Sequence, residues 1–531
     1  MATSELYLKP NVIFEPLVDR WYAWAHLIPP ATAARNLSGR HLKIMDSFIS
    51  APEAHASAVK DPKLLGGPFM DVPVERVDDV KNLREETVAA RSDLLELSAA
   101  LDDLTNMLRS KATGYSLESL YAEIPEPLKG FVELVYDLDN HPSYRLIEPL
   151  LFRSRYYDEG LQSVTLSTVE GDERPFVLST PRLSNGHGVN LQAPFRSGKI
   201  DFLARLKTQP AAFPAIRDAL GLEEAQAEEF RAFLTPEPRP PYRSYSGDGA
   251  RWRYFGHACI LLETRGLSIL LDPVLSYESH GNIPRYTYDD LPDRIDYVLI
   301  THNHQDHILF ETLLQLRHRI GAVVVPRNGG GALQDPSLRL TLRQCGFPNV
   351  IELAELDEIG IEDGSITAIP FFGEHADLNI QTKTAYLVRL GRHALLFAAD
   401  SCNIDPHLYK HVHQAVGDVE ILFLGMECDG APLSWLYGPL ITGKIDRRMD
   451  HSRRLAGSNY ERALGIVEQF HCRESYVYAM GQEPWLKYIM SLTYTPQSNP
   501  IVDSNALIAE CRRRGIVAER LYGEKEILLD A

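Results

Sequence analysis

The sequence predicts an α/β protein in two parts: a mixed, helix-rich N-terminal domain over residues 1–245 and a layered α/β domain over residues 246–531. Three observations carry this. At 531 residues the chain exceeds what one ordinary core covers. The stretch Thr235-Pro236-Glu237-Pro238-Arg239-Pro240-Pro241, with Ser244, Ser246 and Gly247 behind it, stops regular structure, because each proline fixes φ and removes a donor. Beyond it, short apolar runs ending in polar residues alternate with helical patterns, the rhythm of buried strands covered by helices.

Before the linker, Val77, Val80, Leu83, Val88, Leu95, Leu101, Leu104 and Leu108 recur at near-helical spacing and predict helix from about Val74 to Leu108. Further helices are predicted around Ile200–Leu206 and Leu220–Phe233, and β-type runs at Ser163–Thr168 and Phe176–Thr180. No catalytic constellation is recognisable in this half. After the linker, strands are predicted at Cys259–Leu262, Ser268–Leu271, Tyr297–Ile300, Ala322–Val325, Ile366–Phe372, Ala394–Ala399 and Ile421–Leu424. Chemistry in such layered folds sits at strand ends, and each motif discussed next follows a strand.

Composition removes several classes of function. The formal net charge of −18 would repel a phosphate backbone, so nucleic acid is not an expected partner. No apolar run reaches the roughly 18 residues of a membrane span. The start, Met1-Ala2-Thr3-Ser4-Glu5, lacks a basic segment leading into an apolar one, so secretion is not expected. Cys259, Cys345, Cys402, Cys428, Cys472 and Cys511 are scattered without CxxC spacing, which fits reduced thiols in a cytoplasm. Positive charge concentrates in one place, at Lys444, Arg447, Arg448, Arg453 and Arg454, either a solvated loop or a docking surface.

The decisive string is Tyr297-Val298-Leu299-Ile300-Thr301-His302-Asn303-His304-Gln305-Asp306-His307. A buried strand runs straight into three imidazoles and a carboxylate, the usual donors to zinc or iron. His302 and His304, two apart on an extended segment, can point at one metal. Asp306 and His307, past the turn, can reach a second.

This string resembles the signature of the metallo-β-lactamase superfamily, over roughly residues 250–485. Tyr254-Phe255-Gly256-His257 with Cys259–Glu263 resembles the first strands of that αββα sandwich. Leu270-Leu271-Asp272-Pro273 resembles its early Asp motif, whose carboxylate supports the metal loop. Phe397-Ala398-Ala399-Asp400 resembles the strand ending in the metal-bridging Asp. Two departures stand out. Phe371-Phe372-Gly373-Glu374-His375 puts Glu374 where hydrolases of the superfamily carry a His, leaving His375 as a substitute ligand. The strand Tyr476–Met480 is followed by Gly481-Gln482-Glu483 and not by a His, so the second metal keeps an open position or a distant residue such as His451 or His471 fills it.

With these departures the chain resembles the diiron β-hydroxylase branch that serves nonribosomal peptide pathways. The resemblance implies an O2-dependent monooxygenase. His302, His304 and Glu374 would hold one iron, Asp306 and His307 the other, with Asp400 as bridge and Glu427 beside the cluster. The extra carboxylate favours iron over zinc. The substrate would be an amino acid tethered as a thioester to a peptidyl carrier protein, hydroxylated at its β-carbon. A homodimer is expected, with the N-terminal domain serving dimerisation or carrier docking. Electrons would come from an external reductase, since no Gly-rich dinucleotide motif follows a strand. The competing reading is a dinuclear zinc hydrolase of a lactone, thioester or phosphodiester, in which a bridging hydroxide attacks. A non-catalytic metal scaffold is the third. Which amino acid is hydroxylated is not legible.

Overall fold

The computed structural model describes residues 5–183 and 188–531, so the start read at Met1–Ser4 lies outside them. Beyond residue 249, fourteen strands form two seven-stranded sheets. The first is built from β1 (Ala250–Gly256), β2 (Cys259–Glu263), β3 (Ser268–Leu271), β4 (Ile295–Leu299), β5 (Ile320–Pro326) and β6 (Val350–Leu353). The second holds β7 (Glu358–Ile361), β8 (Gly364–Ile369), β9 (Ala385–Leu390), β10 (His393–Phe397), β11 (Ile421–Gly425), β12 (Glu474–Tyr478) and β13 (Val517–Arg520). The last strand, β14 (Lys525–Leu529), returns to pair antiparallel with β1, so the first sheet reads β6-β5-β4-β3-β2-β1-β14 and the second β7 to β13 in sequence order.

Side-chain alternation explains why these strands are apolar throughout. In β2, Ile260 and Leu262 point into the core between the sheets, while Cys259 and Leu261 point outward into another core. In β10, Leu395 and Phe397 face inward, and Ala394 and Leu396 pack under the outer helices. A strand covered on both faces cannot alternate with polar residues. The arrangement is the αββα sandwich expected.

The outer layer over the first sheet is not supplied by the C-terminal part alone. Val12, Phe14, Ile200, Leu203, Ile216 and Phe230 share one core with Phe255, Leu270, Val298, Leu313 and Leu314. The N-terminal part is mixed and helix-rich, with a four-stranded sheet containing Val12–Val18 and Gln162–Thr168 and long helices at Val77–Ala90 and Ser92–Lys111. Residues 236–249 carry no helix or strand but are pinned to both parts: Arg239 donates to the Leu8 carbonyl at 3.0 Å and pairs with Asp289, and Tyr242 bonds Glu263.

Four local expectations need correction. The run from Val74 to Leu108 is two helices, broken at Arg91, which leaves helical geometry (φ −120°) and pairs with Asp19 at 3.2 Å. The helix expected at Leu220–Phe233 starts at Glu224, because Gly221 ends the preceding helix Phe213–Leu220 in the left-handed region. Phe176–Thr180 forms no strand: its residues are of β type, but flanking Pro175 and Pro181 leave it pinned by single bonds, Val177 to the Tyr488 carbonyl and Ser179 to that of Phe69. The strand expected through Phe372 ends at Ile369, freeing the chain to turn before Glu374.

Candidate metal centre

Each candidate side chain follows the C-terminal end of a strand: His257 after β1, Asp272 after β3, His302–His307 after β4, Glu374 after β8, Asp400 after β10 and Glu427 after β11. The turns are tight. His257, Asp272, Glu374 and Ala399 all adopt positive φ (52°, 36°, 69° and 48°). Each costs on the order of 1 kcal/mol for a residue with a Cβ, a concentration typical of functional sites. Gly373, at φ 94°, precedes Glu374 where a Cβ would collide with the side chain of Cys402.

Three donor triads result, each with its ligand atoms within 4.8 Å of one another: His302, His304 and Glu374; His302, His307 and Asp400; His257, Asp306 and His307. His304 Nδ1 lies 3.0 Å from Glu374 Oε1 and 3.2 Å from His302 Nε2. His257 Nε2 lies 3.2 Å from Asp306 Oδ2 and 3.3 Å from His307 Nε2. Asp400 Oδ2 stands between the two groups, 3.0 Å from His307 Nε2 and 3.7 Å from His302 Nε2. Its other oxygen is buried without a hydrogen-bond partner among the described residues, which leaves it open to a cation.

Hydrogen bonds fix which nitrogen each imidazole offers. Asp272 accepts from Thr301 N at 2.8 Å, from Thr301 Oγ1 at 2.6 Å and from His307 Nδ1 at 2.8 Å, so His307 presents Nε2. His302 Nδ1 sits 3.1 Å from Thr301 Oγ1, again leaving Nε2. His304 is turned the other way. Its Nε2 lies 2.9 Å from the hydroxyl of Tyr437, which lies 2.8 Å from His375 Nδ1. A proton passed along that chain leaves His304 Nδ1 free to bind. We therefore propose His375 as a support for Tyr437 and Glu374 for the ligand position.

The electrostatics call for cations. Glu374 is pushed well above the carboxylate range by burial and then by Asp400 and Asp306; Glu427 is raised likewise by burial, Glu374, Asp400 and Asp306. His302 is driven well below its usual range by burial and by His307, His304, His375 and His257. Carboxylates that repel one another are relieved by metal ions among them, and an imidazole held neutral, as His302 is, is in the form that binds one. Four carboxylates with four imidazoles form a hard, anionic donor set that fits two irons. We propose His302, His304 and Glu374 for one ion, His257, Asp306 and His307 for the other, Asp400 between them and Glu427 alongside.

Several contributors escaped the sequence reading. His257 lies beside Asp306 and His307, where it would take the place left open for the second metal; its signal was Gly256-His257 directly after a buried strand. His471 instead pairs with exposed Asp418 at 2.9 Å, and His451 is exposed on α3 (Arg447–Ser452), so neither belongs to the centre. Lys383 donates to the Gly373 carbonyl at 3.0 Å and Arg453 to that of Ala376 at 2.9 Å, so two cations brace the loop carrying Glu374. From the N-terminal part, His26 Nε2 lies 3.4 Å from Asn303 Nδ2, and Arg40 donates to the Trp435 and Leu436 carbonyls, holding the helix Leu433–Tyr437 that carries Tyr437. Burial and His304 bring His26 down to about 3, so it stays neutral beside the metal loop.

His257→Ala is expected to lower iron content by about half, because the second triad loses one of three donors, while the first is untouched. Metal analysis of the purified variant checks this, and unchanged content removes His257 from the ligand set.

Comparison with known proteins agrees with the geometry. Residues 7–238 match the family model described as the diiron non-heme beta-hydroxylase N-terminal domain, and residues 268–430 the beta-lactamase superfamily domain. The chain is 40% identical over 529 residues, 98% of its own length and 99% of the relative's, to the 4-amino-L-phenylalanyl-[CmlP-peptidyl-carrier-protein] 3-hydroxylase of Streptomyces venezuelae. It superimposes on the crystal structure of CmlA, a diiron beta-hydroxylase from Streptomyces venezuelae, with a TM-score of 0.93 at 39% identity, covering 99% of this chain and 100% of that one. The CmlA E377D mutant matches with a TM-score of 0.91, 39% identity and the same coverage. With both parts of the chain matched at this identity and over nearly its whole length, the protein belongs to the diiron β-hydroxylases built on the metallo-β-lactamase fold.

Proposed function

We propose that this enzyme hydroxylates the β-carbon of an amino acid held as a thioester on a peptidyl carrier protein. The observation that carries the reading is the carboxylate-rich cluster, with Glu374 grouped with His302 and His304, in a chain 40% identical to a relative that acts on a carrier-bound amino acid. When present, the two irons supply the electrons that activate O2. One oxygen atom enters the substrate and the other leaves as water, which takes two electrons and two protons from outside. An external reductase supplies the electrons.

The chain's own residues bind, orient and keep the pocket dry. Asp272, Thr301 and Tyr437 hold the imidazoles in their ligating tautomers, and Glu427, on the turn after β11, would relay a proton beside the cluster. The test is incubation of iron-loaded enzyme, reductant and isotope-labelled O2 with aminoacyl carrier proteins. The expected product gains one labelled oxygen on the amino acid. Hydrolysis of the thioester without oxygen gain would point to the hydrolase instead.

We also infer a division near residue 245, a cytoplasmic setting suited to six free thiols, and a homodimer. Tyr115 and Leu138 stand fully in solvent on the N-terminal part, where a partner subunit would cover them. No helix among the described residues is long and apolar enough to cross a membrane.

The basic stretch divides in two. Arg453 and Arg454 are committed inward, to the carbonyls of Ala376 and Gly430. Lys444, Arg447 and Arg448 are exposed, and the intervening acids are occupied, Asp446 capping α3 and Asp450 accepting from Ser434. These three cations suit the acidic surface of a carrier protein. Reversing Arg447 and Arg448 to Glu is expected to raise the carrier KM about tenfold at low salt, flatten its salt dependence and leave the iron spectrum unchanged. Wild-type kinetics at low salt would show the stretch to be a solvated loop.

A further inference from the structure

Outside the diiron centre, one further group of metal-type donors converges among the described residues. It consists of His413, Asp418 and His471, whose ligand atoms lie within 4.8 Å of one another. Asp418 precedes β11 and His471 precedes β12, and these strands run parallel as neighbours, so their N-terminal ends lie together. Asp400 and Glu427 follow the opposite, C-terminal ends of β10 and β11. The five residues of β11, about 16 Å of extended chain, separate the two edges of the sheet. This group is no part of the diiron centre.

Two helix ends bring the three side chains together. The helix His407–Val416 stops at Gly417, with His413 in its last turn. The helix Tyr460–Phe470 stops at His471, which adopts the left-handed region at φ 53°. That place is normally taken by glycine or asparagine, because a Cβ is strained there. Val419 N donates to the Phe470 carbonyl at 3.1 Å, and Arg473 N donates to that of Glu420 at 2.9 Å. These bonds pin the turn carrying Asp418 against the turn carrying His471. The buried ring of Phe470 sets His413, edge to face with centroids 6.0 Å apart.

The donors meet at one point. His413 Nε2 lies 2.7 Å and His471 Nδ1 2.9 Å from the same carboxylate oxygen, Asp418 Oδ1. The two imidazoles stand edge to face, with centroids 5.2 Å apart. Their hydrogen bonds hold the Asp418 carboxyl below its usual range. Two helix C-termini end here, and their dipoles add negative potential. Two imidazole nitrogens and a carboxylate oxygen, exposed so that water can join them, are the donor set of a borderline divalent ion such as zinc.

We propose that His413, Asp418 and His471 form a separate surface site for one divalent ion of the zinc class, which ties the two helix ends together. The ion replaces the two N–H protons directed at Asp418. Each imidazole stays neutral by carrying its proton on the other ring nitrogen, and water completes the tetrahedral shell. The role is structural. Tyr409 and Val412 of one helix and Ala463, Ile466 and Val467 of the other share the core under the second sheet, and the ion cross-links the ends of both.

Zinc titration of the untagged, iron-loaded, full-length protein tests this, with metal content and thermal midpoint as readouts. About one further zinc per chain is expected, with the iron spectrum unchanged and the midpoint rising with free zinc. Magnesium, a hard ion that keeps its waters, should do neither. His471→Gly and His413→Gln should each weaken zinc binding by at least about a hundredfold, beyond the loss of a supporting partner. Hydroxylation should be unchanged in both. Glycine suits the left-handed cap, so His471→Gly separates loss of the ligand from loss of the fold. Zinc taken up only as iron leaves would place it in the diiron centre and overturn the separate site. Zinc held equally by the folded variants, magnesium bound as well as zinc, or no zinc uptake by wild type would overturn it too.

Discussion

Replacing Glu374 by His is expected to turn an iron-holding centre into a zinc-holding one and to end hydroxylation. Glu374 Oε1 lies 3.0 Å from His304 Nδ1 in a triad with His302, so the substitution would gather three imidazoles about one ion. Three neutral nitrogens remove a negative charge from the donor set and suit zinc, which takes a tetrahedral site of three protein ligands and water. The backbone does not oppose the exchange, since φ at this position is 69° and His is among the residues that tolerate the left-handed region. Hydroxylation is expected to fall by more than about a hundredfold, beyond the loss that follows removal of a supporting partner. Metal content by mass spectrometry and oxygen incorporation into the substrate give two separate readouts. His375→Ala serves as the comparison: it removes only the partner of Tyr437 and should keep its iron. If the Glu374 variant holds two irons and turns over while the His375 variant loses them, the ligand assignment of this loop is reversed.

The part of this centre that could be read from sequence is the part the chain lays out consecutively. His302, His304, Asp306 and His307 lie on one loop, so their spacing reports their geometry directly. Glu374 and Asp400 were read from motifs that each follow a recognisable buried strand, whereas Glu427 came from the family resemblance alone. His257 has the same placement after β1, but as a lone imidazole it carried no pattern of its own. Tyr437 and Arg453 act across long separations through single hydrogen bonds to His304 and Ala376, and Lys383 reaches the Gly373 carbonyl across a loop; no local pattern announces such contacts. The same limit applies to the fold. Strand composition located the two sheets, whereas the sharing of a core between Phe14 or Ile200 and Leu270 or Val298 depends on how the two parts dock. Phe176–Thr180 shows the converse error, where β-type residues were enough to suggest a strand but no neighbouring edge was there to pair with.

That docking is held by a buried charge network whose loss should destabilise the protein strongly. Arg174 binds Glu15 at 2.6 Å and Glu311 at 2.8 Å, Arg182 binds Glu15 at 2.7 Å, and Tyr22 and Tyr277 donate to Glu311. The Arg174 guanidinium also lies over the ring of Tyr488, 3.6 Å from its centroid. Glu311 lies in the first turn of the helix Phe310–Leu316, which begins three residues after His307, so the network braces the metal loop from the N-terminal side. Arg174→Met would leave Glu311 buried with phenols as its only partners, at a cost of about 3–5 kcal/mol. The pH dependence follows from Glu15. Burial would raise its carboxyl, but Arg182 and Arg174 together outweigh it and hold the folded value down from 4.5 to about 2. A depressed carboxylate contributes stability that is fully present above the unfolded value and is lost as pH falls through the folded one, here from about 4.5 toward 2, a contribution of about 3 kcal/mol. Denaturant melts should therefore show the largest gap between wild type and Arg174→Met at neutral pH. The gap should narrow below pH 4, as wild type loses the share of this contribution that Arg174 supplies, Arg182 keeping the rest in both proteins. A neutral-pH difference under about 1 kcal/mol, the size of an exposed pair, would mean that the network does not join the two parts energetically.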